Sequence, residues 1–384
     1  MTGAGDWPMP EPFKRLLSPD LVRLAGSHFA RALPGFPHAR FEALALDGFD
    51  ALEMKARAMR IADALEATLP DDFARAAAAI EATLAPALGD TDLGAMRAGA
   101  DGLAGWIAWP LGEYVARRGL HQPDRALACL HALTRRFSAE FAIRPFILAH
   151  PDRVFATLAA WTRDPDPHVR RLVSEGSRPR LPWGVVLKPL VADPSPTLPL
   201  LAALQDDPSE YVRRSVANHL NDIAKDHPAV VAGWLEEHLP GASRERRSLL
   251  RHASRTLVKR GDRRVLAAWG LDAPLRGSAA LAVSPRRIRL GEAVEIRVAL
   301  ESAAREAQRL AVDYVVHHVR ADGTTSPKVF KGWKVVLAPG GRRVLQRRHA
   351  VRPITTRRYH PGHHRIEIQA NGRVVAEAAF DLRP

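Results

Sequence analysis

The strongest constraint on this chain is an internal repeat. Residues 164–176 read DPDPHVRRLVSEG, and residues 207–219 read DPSEYVRRSVANH. The match sets Asp164, Pro165, Val169, Arg170 and Arg171 over Asp207, Pro208, Val212, Arg213 and Arg214, an offset of 43 residues. A weaker third copy, RERRSLLRHASRTLVK, begins at Arg244. A period of roughly 33–47 residues, with a proline-marked turn and an amphipathic helix in each unit, characterises stacked helical repeats. Stacking places equivalent side chains in a row along one curved face. Here the row carries arginines, so that face is basic.

The helical pattern does not run the whole length. Residues 13–118 read as helices, including 50–69 with Leu52, Met59, Ile61 and Leu65 on one stripe and Pro70 closing it. From residue 121 the repeats supply helices over 123–136, 138–148, 151–163, 167–176, 184–192, 197–206, 208–224, 228–238, 243–260 and 262–269, joined by short connections. Near residue 275 the period falls to two. Val294, Ile296, Val298 and Leu300 alternate with Glu295, Arg297 and Ala299. Similar alternation over 308–319, 328–337, 343–351, 363–370 and 373–382, with a short run at 280–290, gives about seven strands between turn signals such as Asn371-Gly372. The expected fold is therefore α then β: a HEAT-like helical solenoid over 1–275 (an N-terminal helical portion 1–120, then repeats 121–275) and an immunoglobulin-like sandwich over 279–384. The linker is expected near Asp272–Ser278.

Charge separates these parts. Residues 1–110 hold 10 Lys/Arg against 15 Asp/Glu, residues 111–278 hold 26 against 18, and residues 279–384 hold 20 against 9. A mildly acidic front and a basic remainder predict a polyanionic partner for the second and third parts. The N-terminus has no basic-then-apolar leader and no apolar run is long enough to span a bilayer, so a cytoplasmic chain with no membrane role is expected. Cys129 is the single cysteine, which excludes an internal disulfide and a cysteine-rich zinc site. Phosphate loops and dinucleotide fingerprints are absent. His317-His318 and His363-His364 lack metal-ligand spacing on one face, so no metal or other cofactor is expected.

Three acids stand out as catalytic candidates. Glu175 lies four residues after Arg171 and directly before Gly176, so it ends a helix where the dipole disfavours a carboxylate. Glu140 is flanked by Phe137, Phe141, Ile143 and Phe146. Asp222 is four residues after Asn218 and eight after Arg214, so all three are expected on one face. Acids placed against their local interest make better site candidates than solvated helix pairs. Trp183, after Pro179 and Pro182, offers an indole near the end of the Glu175 helix, whereas Trp161, Trp234 and Trp269 read as repeat core. Phosphate-contact candidates from the repeat register are Arg170, Arg171, Arg213, Arg214, Arg247 and Arg251. In the sandwich they are Arg342, Arg343, Arg347, Arg348, Arg357 and Arg358.

The runs SAEFAIRPF, DPDPHVRRLVSEGSRPRLPW and DDPSEYVRRSVANHLNDIAKDHP, with the N-terminal EMKARAMRIADAL, resemble the HEAT-repeat alkylpurine DNA glycosylases, in particular the AlkC branch of the AlkC/AlkD family. The resemblance covers the helices through about residue 270, and part of that branch carries an immunoglobulin-like C-terminal domain. It implies a monomeric bacterial enzyme of base excision repair. Its partner would be duplex DNA bearing cationic N-alkylated bases such as 3-methyladenine and 3-methylcytosine, with nucleoid association when bound. It also implies that the base is not swung into a deep pocket. By motif, Glu140, Glu175 and Asp222 match the family's acids, Trp183 its aromatic, and Arg171 the arginine one turn before the central acid. The residues by themselves also accommodate a non-catalytic repeat scaffold that binds DNA, RNA or an acidic protein.

Overall fold

The protein is described from a computed structural model, which covers residues 13–87, 92–354 and 358–383; Arg357 lies outside the described residues. The chain divides into two compact units, Met1–Asp226 and His227–Pro384.

The first unit is helical. A 3₁₀ turn at Phe13–Leu16 precedes α1 (Pro19–Ala32), α2 (His38–Leu46), α3 (Met54–Glu66) and α4 (Phe73–Ala82). Then come α5 (Ala108–Arg118), α6 (Pro123–Thr134), α7 (Ile143–Ala149), α8 (Pro151–Trp161), α9 (Pro167–Gly176), α10 (Lys188–Ala192), α11 (Leu198–Leu204) and α12 (Glu210–Ile223). None of the described helices is long and apolar enough to cross a membrane.

The two matched segments open in the same way. The Asp164 side chain accepts from the Asp166 amide at 2.8 Å, and the Asp207 side chain accepts from the Ser209 amide at 2.9 Å. These local bonds divert the backbone into a turn just before each helix. In α9 the Asp166 carboxylate then caps the His168 amide, with Pro167 at the first helical position where no N–H is needed. Val169, Leu172 and Val173 of α9 pack inward, as do Val212, Val216 and Leu220 of α12.

Three helices are shorter than their sequence pattern predicts. The 138–148 helix begins only at Ile143, because the Ser138 hydroxyl bonds both the Glu140 amide and its carboxylate and holds a turn there. The 184–192 helix begins at Lys188. The 243–260 helix breaks at Ser254, whose hydroxyl donates back to the Leu250 carbonyl and accepts from the Trp269 indole. Such back-bonding bends helices.

The second unit carries α13 (Pro228–His238), α14 (Arg244–Ala253), α15 (Arg255–Arg260) and α16 (Arg263–Ala268), then eight strands among the described residues. These are β1 (Gly277–Ser284), β2 (Arg287–Arg289), β3 (Ala293–Ser302), β4 (Gln308–Val319), β5 (Thr325–Leu337), β6 (Arg342–Ala350), β7 (Gly362–Ala370) and β8 (Arg373–Arg383). The predicted run at 280–290 splits into β1 and β2, which join different sheets. One sheet has the order β1-β3-β6 and the other β2-β8-β7-β4-β5, with β2 parallel to β8. The period-two pattern is realised in β3, where Val294, Ile296, Val298 and Leu300 are all fully buried. They meet Tyr314, Ile366, Ile368 and Phe380 of the facing sheet in one core. The β7–β8 hairpin turns on Asn371 and Gly372, both at positive φ, as a tight two-residue hairpin requires.

Candidate active site

A cavity of about 950 Å³ opens in the first unit. Six aromatic rings line its walls, those of Phe13, Trp106, Trp109, Phe137, Phe141 and Trp183, beside aliphatic side chains such as Leu16, Leu21 and Leu181. Its polar lining includes Ser138, Glu140, Arg171, Glu175 and Arg178, which form a floor, and also Arg15 and Arg97.

The floor is a ladder of alternating charge. Glu140 Oε2 lies 2.8 Å from Arg171 Nη1. Arg171 Nη2 lies 3.8 Å from Glu175 Oε2. Arg178 Nη1 donates to Glu175 Oε1 at 2.5 Å, and its Nε lies 3.9 Å from Asp222 Oδ2. The Ser215 hydroxyl, from the neighbouring repeat, donates to Glu175 Oε2 at 2.6 Å. Burial alone would push the Glu175 carboxyl up. Arg171, Arg178 and the Ser215 hydroxyl outweigh it and hold the pKa below the ordinary glutamate value, so the group is ionised at neutral pH. Burial also opposes the Arg171 charge, yet Glu140 and Glu175 keep that guanidinium more firmly protonated than a free arginine. The Arg171 guanidinium stacks over the Tyr211 ring at 5.1 Å.

Asp222 is placed differently. Its carboxylate is buried, accepts from the Arg180 amide at 2.7 Å and from Lys225 Nζ at 2.6 Å, and is not among the cavity-lining groups. It sits behind Arg178 and holds the loop after α9. The shared face expected for Arg214, Asn218 and Asp222 is not found. Asp222 is enclosed, whereas the Arg214 side chain is 70% exposed and pairs with Glu210. Eight residues leave the two side chains about 80° apart around the helix, enough to separate core from solvent.

Each adjacent arginine pair divides its work. Arg170 bonds the carbonyls of Asp164 and Pro165, and Arg213 bonds those of Asp207 and Pro208. Both therefore brace the turn before their own helix. Arg170 also grips the buried Asp207 carboxylate at 2.6 and 3.1 Å. Their donors face protein, which leaves Arg214 as the exposed member of the four. In the second unit Arg247 is exposed, and Arg251 lies over the Trp269 ring at 5.3 Å. On β6, Arg342, Arg343, Arg347 and Arg348 are all exposed; Arg347 also donates to the Lys331 carbonyl and covers Trp333, and Arg342 pairs with Glu301.

Trp183 stands out from the wall at 56% exposure, with its ring parallel to Trp109 at 5.9 Å. Its φ is +67°, a left-handed conformation that costs a bulky residue about 1–3 kcal/mol. The loop that presents it is fastened from behind by Arg144, which is fully buried and bonds the carbonyls of Gly176, Pro179 and Val185. Burial pulls the Arg144 pKa down to about 10, so it remains charged. Among the other tryptophans, Trp234 is buried, while Trp161 and Trp269 are partly exposed.

Sequence reasoning missed Arg178, Arg144 and Trp109. Arg178 had a signal, the i,i+3 spacing from Glu175. Arg144 and Trp109 meet the Trp183 loop only through distant chain segments, and no local pattern marks them. His318 and His364, read from the sequence as lying on no common face, come together with His349 inside the sandwich, with the His318 ring centroid 5.7 Å from His364 and 6.3 Å from His349. Among the described residues no group of His, Cys, Asp and Glu side chains is placed to hold a metal.

A helical repeat domain with an acid–arginine ladder in its cavity is followed by an immunoglobulin-like sandwich, and the sequence and fold matches place this arrangement among DNA alkylation repair proteins. The DNA alkylation repair enzyme family matches residues 137–257, and the C-terminal Ig-like domain of the uncharacterised protein YhaZ matches residues 277–384. The chain is 34% identical over 371 residues to YhaZ of Bacillus subtilis (strain 168), covering 96% of this chain and 99% of that one. The structure of the Pseudomonas fluorescens alkylpurine DNA glycosylase AlkC, bound to DNA containing an abasic site analog, superposes with a TM-score of 0.87 at 35% identity, covering 97% of this chain and all of that one. The chain belongs to the AlkC branch of the alkylpurine DNA glycosylase family, with its immunoglobulin-like C-terminal domain.

Proposed function

We propose that this protein is a DNA glycosylase that releases cationic N-alkylated bases, 3-methyladenine and 3-methylcytosine, from duplex DNA as the first step of base excision repair. The observation that carries the reading is the ionised Glu175 carboxylate, held by two arginines and a serine at the floor of an open, aromatic-walled cavity.

The chemistry suits those groups. A base alkylated at a ring nitrogen already bears positive charge, so its departure needs no general acid. The bond between C1′ and the base nitrogen breaks, and its electron pair neutralises the leaving base. Positive charge grows on the deoxyribose. A water oxygen bonds to C1′ and gives up its proton. A carboxylate held ionised below its ordinary pKa is a poor acid but a good counter-charge for such a sugar cation, and it can orient or accept a proton from the water. Glu140 and Glu175 face the cavity and take that role. Arg171 and Arg178 fix their orientation. Asp222, behind Arg178, is a positioning residue. The Trp183 face contacts the sugar or the cationic base from the opposite side. As the family resemblance implies, the base stays near the stack, unlike in glycosylases that extrude it into a pocket. Arg214, Arg247, Arg251, Arg342, Arg343, Arg347, Arg348 and Arg358 are exposed and are the candidates for phosphate contacts.

The test is base release from N-methylated duplex DNA, with Glu175→Gln run beside the parent chain. Release by the parent and loss in the variant, with duplex affinity retained, is the expected result. A parent chain that binds duplex and releases nothing would favour the non-catalytic scaffold.

A further inference from the structure

We propose that Phe13 is a positioning residue for Trp183, holding the exposed indole in the attitude it presents to damaged DNA; this rests on the glycosylase reading of the cavity. Trp183 has three points of support. Trp109 lies parallel to one side of the ring. Arg144 and Lys55 hold its loop, the latter donating to the Trp183 carbonyl at 3.4 Å. The third support is Phe13, whose ring centroid lies 5.7 Å from Trp183 and which meets Trp106 edge-on at 4.8 Å.

Nothing in the core accounts for that placement. The Phe13–Leu16 turn has no buried residue, and Phe13 is 45% exposed. At the lip of the cavity the ring makes its aromatic contacts with Trp106 and Trp183. The turn is itself tied down. Buried Arg57 donates to the carbonyls of Lys14 and Leu17, and Lys14 pairs with Glu53 at 2.9 Å. Leu17, fully buried, anchors the chain immediately afterwards. Phe13 is therefore presented from a fixed base, and removing its ring leaves the anchors intact.

The experiment replaces Phe13 with alanine and with tyrosine in the full chain. Two readouts are needed. The first is the ¹⁹F resonance of Trp183 in protein labelled with 5-fluorotryptophan, assigned by its loss in Trp183→Phe. The second is the single-turnover rate of 3-methyladenine release at saturating protein. Phe13→Ala is expected to move the Trp183 resonance and slow release about tenfold, with Tm and affinity for undamaged duplex unchanged, because loss of orientation acts on the reacting geometry rather than on binding. Phe13→Tyr is expected to restore both readouts. An unmoved Trp183 resonance in Phe13→Ala overturns the inference, and so does a moved resonance with release at the parent rate. Absence of release from the parent chain would instead defeat the glycosylase reading, and the resonance would still report whether Phe13 holds the indole.

Discussion

The two matched helices, α9 and α12, begin alike and end differently. Both start from an aspartate-bonded turn, and both use the first arginine of the pair to brace it. The second arginines part company. Arg171 is enclosed between Glu140 and Glu175, whereas Arg214 stands in solvent beside Glu210. The equivalent of Glu175 in α12 is Asn218. The repeat reproduces a backbone and its local bonds. What it does not reproduce is the neighbourhood: Arg171 has the Ser138–Glu140 turn on one side and α12 on the other. One second arginine is thus enclosed in the ladder while its counterpart stays in solvent.

Four measurements would sharpen or break this contrast. The largest effect is expected at Glu175. Glu175→Gln keeps the shape and removes the charge, and should slow base release by about 10²–10³-fold, the scale of losing one preorganised electrostatic interaction in an active site. A loss of less than threefold, about 0.7 kcal/mol, would remove Glu175 from the chemistry.

The next effect compares the two second arginines directly. Arg171→Met leaves Glu140 and part of Glu175 without their enclosed partner and should lower stability by about 3 kcal/mol, read by denaturant unfolding. The same change at Arg214 should leave the midpoint where it was, since exposed pairs contribute little. Equal losses at both positions would mean that burial does not separate the two repeats.

A pH titration of stability follows. Burial pulls the His219 pKa from 6.5 down to about 4, against the Ser174 carbonyl contact that favours its charge. The unfolded chain therefore binds a proton between pH 6.5 and 4 that the folded chain refuses, so stability falls as pH drops through that window. Burial depresses His364 in the sandwich in the same sense. His219→Gln should remove close to one proton from the slope of unfolding free energy against pH. An unchanged slope would show that His219 takes up its proton equally in the folded and unfolded chain.

The smallest effect is expected in the second unit. Replacing Arg343 and Arg348 with alanine should make DNA affinity less sensitive to salt. The slope of log K against log salt should become shallower by about 0.9 for each phosphate that is no longer neutralised. Base release at saturating protein should stay as it was. An unaltered slope would leave the sandwich without a phosphate-binding role at these residues.

Much of this architecture was legible without coordinates. The 43-residue offset, the prolines at helix starts and the change from helical to alternating period near residue 275 each report a local backbone preference, and local preference is what neighbouring residues control. Glu175 was visible because a carboxylate before a helix-ending glycine opposes the dipole. The breaks at Ser138 and Ser254 were not, since each depends on a hydroxyl choosing a backbone partner over solvent. Nor was it legible that Arg214 alone of the four paired arginines turns outward. The sequence alone determined that helices would stack and that acids and arginines would share α9. The tertiary structure decided that Arg178 closes the ladder, that Asp222 stands behind the cavity rather than in it, and that Trp109 and Phe13 flank Trp183. Those decisions rest on contacts between segments tens of residues apart, where burial and charge compensation are properties of the packed whole.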